Sequence, residues 1–431
     1  MFQVLKNAFS NPDLRKKLIY TIIIILIFRL GSAFLAPFVN TGVLEEFMNA
    51  NSESFFGILN AFSGGSFANA TVFAMSISPY ITASIVIQLL TIAIPALERL
   101  AKEGALGKKK LNKITRYTFI GLAFVQAVAY YVMIRNQGAI ASGFSSGFAK
   151  YFAAAVIVLT LVAGSAITVW LADRISDKGF GNGTSMILFA GIVSSLPSSF
   201  NILFTNLTSG SAANYFTVPL GILLILAIVV LIVIMNNSER RIPIQYAKRV
   251  VGRKMYGGQS SYIPIKVAIG GVLPVIFAMS ILSVPSTIAA FSNPDPNSFW
   301  GKLVQQFSTT GWIYCFCYLL LIIGFSYFYC AIQYNPVEIA NNLKQNNGAI
   351  AGLRPGRSTA IFIQKILSKI TFIGAIFLAV IAIVPPVYSA ITKIPLSLGG
   401  TSIIILVGVA LDTMRQLESE LTMRHYKGFL E

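Results

Sequence analysis

The chain has few of the side chains on which enzyme active sites usually depend. Its 431 residues include one histidine, three cysteines and 15 Asp and Glu residues. With His425 as the only histidine, Ser–His or Cys–His catalysis and histidine-based metal sites are close to excluded. The sequence contains no Walker motif, so energy for any transport has to come from a partner. We therefore predict a protein that is not an enzyme and needs no cofactor or metal.

Charged residues are scarce as well, and this indicates the class of protein. They make up 11% of the chain against 55% hydrophobic residues, whereas a soluble protein carries about 25% charged residues. No Asp or Glu lies well inside an apolar run, which argues against a proton-coupled transporter, because a proton relay needs titratable groups within the membrane. Runs of spanning length predict ten transmembrane helices, at roughly 18–38, 72–92, 117–134, 151–171, 186–200, 218–235, 267–291, 313–334, 367–387 and 401–414.

Basic residues are distributed unevenly between the predicted loops. Of the 33 Lys and Arg residues, 28 lie on one side of the predicted spans, four lie on the other, and Arg29 lies within the first span. Such an excess marks the cytosolic side of a membrane protein, so we predict that both termini are cytosolic. We call this side the basic side. A cation within a span needs carbonyls or a partner helix, so we predict a structural role for Arg29.

Ten spans separate into two sets of five, joined by a polar segment at 201–217. An odd number of spans per set places the sets in opposite orientations, which is the arrangement of an inverted repeat. We therefore predict an all-α polytopic membrane fold. Its predicted parts are a cytosolic amphipathic N-terminus at 1–17, an N-terminal half at 18–205, a C-terminal half at 206–414 and a cytosolic tail at 415–431.

Residues 55–68 depart from the pattern of spanning helices. The run from Phe55 to Phe62 is apolar, but it is shorter than the about 20 residues that a span needs, and Gly64 and Gly65 follow it. Irregular backbone at membrane depth is tolerated only where protein or a water-filled cavity satisfies its amide groups. The pattern predicts a short re-entrant helix that enters a cavity from one side and closes it.

Two loops on the basic side, 93–116 and 236–266, carry more positive charge than orientation requires. The loop 236–266 indicates a docking surface for an acidic partner such as RNA or protein. The alternative is a solvated loop that contacts anionic lipids, and composition alone favours this alternative. In the loop 335–360, Arg354 lies in a Gly-Leu-Arg-Pro-Gly turn, and its planar guanidinium suits a phosphate or carboxylate.

A set of short motifs resembles the SecY family, the channel subunits of the bacterial protein translocase. The motifs follow the family order and extend over nearly the whole chain. They are residues 28–31, 62–65, 78–85, 88–90, 179–183, 240–243, 246–249, 353–356 and 398–402. The resemblance implies a channel that translocates unfolded secretory polypeptides across the bacterial plasma membrane. It also implies that the channel releases transmembrane segments laterally into lipid.

The resemblance further assigns roles to individual residues. An apolar pore ring that forms a gasket around a passing chain is implied at Ile77, Ile81, Leu188, Ile192, Ile276 and Ile405. A plug at 55–68 is implied, with Phe56, Leu59, Phe62, Gly64 and Gly65. A lateral gate between the second and seventh spans is implied at Thr82, Gln88, Ser280, Ser283 and Val284. Docking of a motor or ribosome is implied at Arg240, Arg241, Lys248, Arg249, Arg253, Lys254 and Arg354.

The partners that the resemblance implies are two small subunits, a motor and the passenger. SecE would clamp the two halves, SecG would lie at the periphery, and the SecA ATPase or a translating ribosome would drive transport. Signal sequences, nascent chains and membrane lipids complete the set. Two other classes remain as alternatives: a secondary transporter of amphiphilic or lipid substrates, and an intramembrane protease, which would need a His partner or paired Asp residues within the spans.

Overall fold

Long helices form most of the structure. The computed structural model describes residues 8–50, 55–144, 147–208, 214–246, 249–251, 254–256, 260–292, 298, 301, 306, 311–392 and 399–427. Its α-helices are α1 (Pro12–Gly31), α2 (Thr41–Ala50), α3 (Phe55–Ser63), α4 (Ser78–Ala93), α5 (Pro95–Lys102), α6 (Ala105–Asn136), α7 (Gly147–Lys178), α8 (Gly183–Thr208), α9 (Asn214–Asn237), α10 (Leu273–Ser292), α11 (Trp312–Gln333), α12 (Pro336–Gln345), α13 (Arg357–Thr392) and α14 (Gly400–Lys427).

The predicted class, a polytopic helical membrane protein, is confirmed. A helix forms most or part of each of the ten apolar runs. In the described part of the chain, seven helices are by themselves long and apolar enough to cross a membrane, and α4 with α5 raises the number to eight if the bent pair is one span. The total of ten spans stays a prediction. The second span differs in outline, because α4 begins only at Ser78 and the chain bends by 102° before α5.

Helices α1 and α14 run across the boundaries predicted at residues 17 and 415. The Asn11 side chain accepts a hydrogen bond from the amide of Asp13 at 3.2 Å, and Pro12 occupies the first helical position, so α1 begins there. The helix then continues without a break to Gly31. The predicted interfacial segment and the first span are therefore one helix beyond Asn11. Likewise α14 continues past residue 415 to Lys427, where a separate tail had been predicted.

The packing of the helices repeats. Among the first five long helices, α4 packs on α6, α6 on α7, α7 on α8, and α1 on both α7 and α8. Among the last five, α10 packs on α11, α11 on α13, α13 on α14, and α9 on both α13 and α14. Each pair in the first set has a counterpart in the second, as expected for two inverted copies of one five-helix unit. Between the sets, α8 packs on α9 and α14, and α6 packs on α10.

Two small antiparallel sheets lie in the segments of the basic side. The strands are β1 (Glu239–Tyr246), β2 (Arg249–Val251), β3 (Lys254–Tyr256), β4 (Ser260–Lys266) and β5 (Gly348–Ile350). One sheet has the order β4-β1-β5, and the other is the β2-β3 pair. These strands are an addition to the predicted all-helical architecture. In the central strand β1, Ile242 and Ile244 point to the buried face and pack with residues of α12 and α13.

Close helix contacts depend on individual glycines. A Cβ atom added at Gly164 of α7 would collide with the backbone carbonyl of Val72. A Cβ atom added at Gly121 of α6 would meet open space. We expect Gly164→Ala to lower the free energy of unfolding by about 1–3 kcal/mol, because a carbonyl cannot move aside cheaply. Gly121→Ala should be neutral or stabilise by about 0.5–1 kcal/mol. Thermal unfolding of the purified variants measures both, and equal behaviour would contradict this packing.

Candidate functional site

The plug segment, residues 55–68, lies against α8 inside the bundle. Its helix α3 packs on α8, and Gly191 leaves the room that the carbonyl of Phe62 needs. Phe62 is buried, and Leu59 and Phe56 pack against the same apolar core. The ring of Phe56 also stacks on that of Phe67, with centroids 6.2 Å apart. The predicted short helix is thus present and packed on α8, with Phe62 buried.

The end of α3 meets a charged side chain. Gly64 and Gly65 have φ angles of 65° and 87°, which favour glycine and turn the chain away from the helix. The Nη1 of Arg29 on α1 donates a hydrogen bond to the carbonyl oxygen of Gly64 at 3.3 Å. A side chain at Gly64 would also collide with the hydroxyl of Ser194 on α8. The structural role predicted for Arg29 therefore has a definite partner in the plug segment.

The residues after the plug helix are held by other helices. The hydroxyl of Tyr130 on α6 donates to the carbonyl of Phe67 at 2.5 Å, and the two rings meet edge to face at 4.7 Å. A β-bridge joins Leu35, just beyond α1, to Thr71. Backbone groups that leave regular structure inside the bundle are thereby satisfied.

The predicted pore-ring residues belong to one continuous apolar core that also contains Phe62. Ile77 precedes α4, and Ile81 is in its first turns. Side-chain exposure is at most 8% for five of the six, and Ile81 packs against them while partly buried. Five of the six residues lie on the helices α4, α8, α10 and α14, and Ile77 directly precedes α4. The six are Ile77, Ile81, Leu188, Ile192, Ile276 and Ile405. Their function as a ring stays a prediction.

The predicted gate residues lie on α4 and α10. The hydroxyls of Thr82 and Ser280 each donate to the carbonyl four residues earlier in their own helix, at 3.1 and 2.9 Å. Gln88 donates to Ser84 of its own helix at 3.4 Å. Ser283 and Val284 are residues of α10. In the described residues, α4 and α10 do not pack extensively on each other.

The loops 236–266 and 335–360 are joined by strand pairing into a common platform. Strand β1 of the first loop pairs with β5 of the second, with Ile244 opposite Ile350. Arg241 is already engaged, because its Nε donates to Glu239 Oε1 at 2.7 Å and its guanidinium lies 4.8 Å from the ring centre of Tyr262. The hydrogen bond to Glu239 raises the pKa of Arg241 above its ordinary value. Arg240, exposed on the same strand, is the better docking candidate.

The remaining docking candidates differ in what the structure says of them. Arg249 and Lys254 lie on the paired strands β2 and β3. Lys248 and Arg253 lie outside the described residues. Arg354 is exposed, and its carbonyl accepts hydrogen bonds from the hydroxyls of Ser358 and Thr359, both at 2.9 Å.

Arg354 thus occupies a turn with a fixed backbone. Gly352 and Gly356 on either side have φ angles of 79° and 112°, which other residues rarely adopt. The turn follows β5 directly, so the platform fixes the backbone position from which the Arg354 side chain extends. A fixed backbone position favours directional binding, because the guanidinium presents its donors in one plane.

Together, a repeated bundle of membrane helices and a short helix packed on its apolar core are the architecture of a membrane channel with a plug. The family model for SecY matches residues 71–414. The chain therefore belongs to the SecY family.

Individual relatives agree with this membership. The chain is 42% identical to the protein translocase subunit SecY of Halalkalibacterium halodurans over 449 residues, with all of both chains covered. A solved structure described as showing that the SecY plug domain stabilises the closed state and maintains a membrane seal has a TM-score of 0.62 at 17% identity, covering 94% of this chain and 92% of that one. Sec61 in the canine ribosome–channel complex from the endoplasmic reticulum has a TM-score of 0.58 at 16% identity, with the same coverage.

Proposed function

We propose that the chain is a passive protein-conducting channel without catalytic residues. Unfolded secretory polypeptides would pass through its centre, and transmembrane segments would leave sideways into lipid. The observation that carries the proposal is the position of α3, which is too short to span and lies against α8 within the apolar core. A helix of this length within the membrane has to be satisfied by protein or to line a cavity, as a plug does.

The ring residues would seal the channel in both of its states. When the channel is empty, a narrow apolar constriction excludes water and ions. When a polypeptide passes, branched side chains would close around it. The burial of Ile77, Ile192 and Ile405 beside Phe62 supports a closed constriction backed by the plug segment.

The lateral gate would be the seam between α4 and α10. The helices on either side of that seam pack mainly on partners within their own set, α4 on α6 and α10 on α11. Among the described residues, the sets are joined through α8, which packs on α9 and α14, and through α6, which packs on α10. Opening the seam about the α8 joint would separate the α6–α10 contact, which is the geometry of a hinge.

Energy and further subunits would come from partners. The platform of β1, β4 and β5 would receive the SecA ATPase or a translating ribosome, whose acidic groups suit Arg240 and Arg354. SecE would clamp the two halves, which we place at 18–205 and 206–414, and SecG would lie at the periphery. The location would be the bacterial plasma membrane, with both termini on the cytosolic side.

Transport by membrane vesicles tests this function. Vesicles that contain the chain and its copurifying subunits should, with the motor and ATP, protect an unfolded secretory precursor from added protease. The same precursor without its signal sequence should stay accessible. If no precursor is protected while a labelled amphiphile accumulates, the secondary-transporter alternative is correct instead.

A further inference from the structure

We propose that Arg29 is the positioning residue that holds the plug segment in its closed place, by binding the carbonyl of Gly64 just beyond the end of α3. The inference rests on the proposed function, because a plug has meaning only in a channel. It gives a purpose to a cation in a membrane helix that otherwise needs an explanation, since charges at such positions are costly.

The contact itself is specific. Arg29 lies in the last turn of α1 and is half-buried, and its Nη1 donates to the carbonyl of Gly64 at 3.3 Å. In the described residues no carboxylate pairs with this guanidinium, so its hydrogen-bonding partner comes from the plug segment. A cation within the membrane is thus satisfied by a part of the chain that has to move when the channel opens.

The carbonyl that accepts from Arg29 lies at the negative end of a helix dipole. Helix α3 ends at Ser63, and the acceptor of Arg29 is the carbonyl of the next residue, Gly64. The C-terminal end of a helix carries the negative end of its dipole, which favours a cation in the last turn or just beyond it. Arg29 stands at this end, so its charge and the dipole of α3 attract each other when the plug is in place.

The neighbours of Arg29 hold it at this point. Phe28 stacks on Phe73, with ring centroids 5.7 Å apart and an angle of 8° between the rings. The ring of Phe73 also occupies the space in which a side chain at Gly31 would lie. The residues on both sides of Arg29 therefore fasten the end of α1 to the segment that follows the plug. The guanidinium is left facing Gly64.

Displacement of the plug would leave this cation without its acceptor. The closed state keeps one charge-assisted hydrogen bond that the open state has to replace with water, so Arg29 biases the equilibrium towards closure. Losing such a bond should raise the open fraction at least about tenfold, a shift of about 1.4 kcal/mol.

The test measures ion leak through vesicles that contain the full chain in its native complex, without substrate or motor. Arg29→Met keeps the length of the side chain but removes the charge and the donors, and it should raise the leak per channel about tenfold. Arg29→Lys keeps a cation and should restore most of the seal. Arg135→Met, at an exposed position at the end of α6, is the matched control and should leak like the parent.

A second variant approaches the same contact from the plug. Gly64→Ala places a methyl group against Arg29 and Ser194, so it should also raise the leak. If both changes act through one contact, the double variant should leak less than the product of the single effects. A multiplicative double variant overturns the proposal, and so does Arg29→Met with a parental leak. Should Arg29→Met not accumulate, the comparison of Gly64→Ala with and without Arg29→Lys decides in the same way.

The outcome is separable from that of the proposed function. A purely structural Arg29 would lower the melting temperature of Arg29→Met without changing the leak of the folded complex. If the parent protein translocates no polypeptide, the proposed function falls, yet the leak still tells whether Arg29 seals the bundle. If the parent translocates and the leak is unchanged, only the role of Arg29 is wrong.

Discussion

Replacing Ile192 with asparagine should open the channel to ions in the absence of any substrate. Ile192 is completely buried on α8, in the core that contains Phe62 of the plug helix. An amide there has no partner while the channel is closed, which costs about 1–3 kcal/mol, whereas an open and hydrated pore would solvate it. The open fraction should rise by roughly a factor of ten, since 1.4 kcal/mol corresponds to tenfold. Ion leak through vesicles measures this.

The adjacent residue supplies the control for this prediction. Val193 is 37% exposed on the same helix, so its side chain points away from the core. Val193→Asn should lower the amount of protein in the membrane without raising the leak of each channel. Ile192→Asn should additionally let precursors with defective signal sequences pass, because less opening energy remains for the signal sequence to supply. Equal leaks from the two variants would show that Ile192 does not line a pore.

Reversing the charge of Arg354 should stop motor-driven translocation almost completely. The side chain is exposed, so the change disturbs no core packing, while the Ser358 and Thr359 hydroxyls keep the turn in place. A glutamate facing an acidic partner converts attraction into repulsion, and like charges at an interface cost several kcal/mol. We expect initial translocation rates to fall by about a hundredfold or more in vesicles supplied with motor and ATP.

A nearby lysine separates docking from net charge. Lys365 is exposed on α13, the helix that follows the Arg354 turn, and Lys365→Glu makes the same change in total charge. It should leave translocation nearly unaffected if the platform is recognised at the Arg354 turn. Arg354→Lys should be impaired too, because lysine lacks the planar fork of donors. Normal export by Arg354→Glu would reduce this residue to one that only sets orientation.

Much of the helical architecture could be predicted because it is local. Every apolar run became a helix, since in a membrane a segment has to satisfy its own backbone. The short run before Gly64 predicted α3 for the same reason, as no span of that length is possible. The helix α5 was missed: it begins at Pro95, immediately beyond the predicted end of the second span, and is bent by 102° from α4.

Contacts between distant residues could not be predicted in this way. Arg29 was recognised as a buried cation, but its acceptor is a backbone carbonyl, which has no sequence signature. The pairing of β1 with β5 was missed because β5 has three residues and lies in a different loop. The engagement of Arg241 by Glu239 and Tyr262 also depends on the strand register, which places Tyr262 opposite Pro243, two residues from Arg241 and on the same face of the strand.

The β1–β5 pairing also affects the order in which the protein can be made. The ribosome delivers β1 about one hundred residues before β5, and both α10 and α11 lie between them. Pairing over such a separation has to wait until the intervening helices have been threaded into the bilayer. The three-stranded sheet, and with it the turn that presents Arg354, therefore comes into being late in biogenesis. An unfinished or truncated copy would lack the assembled surface, so immature copies would not compete with finished ones for the proposed motor or ribosome.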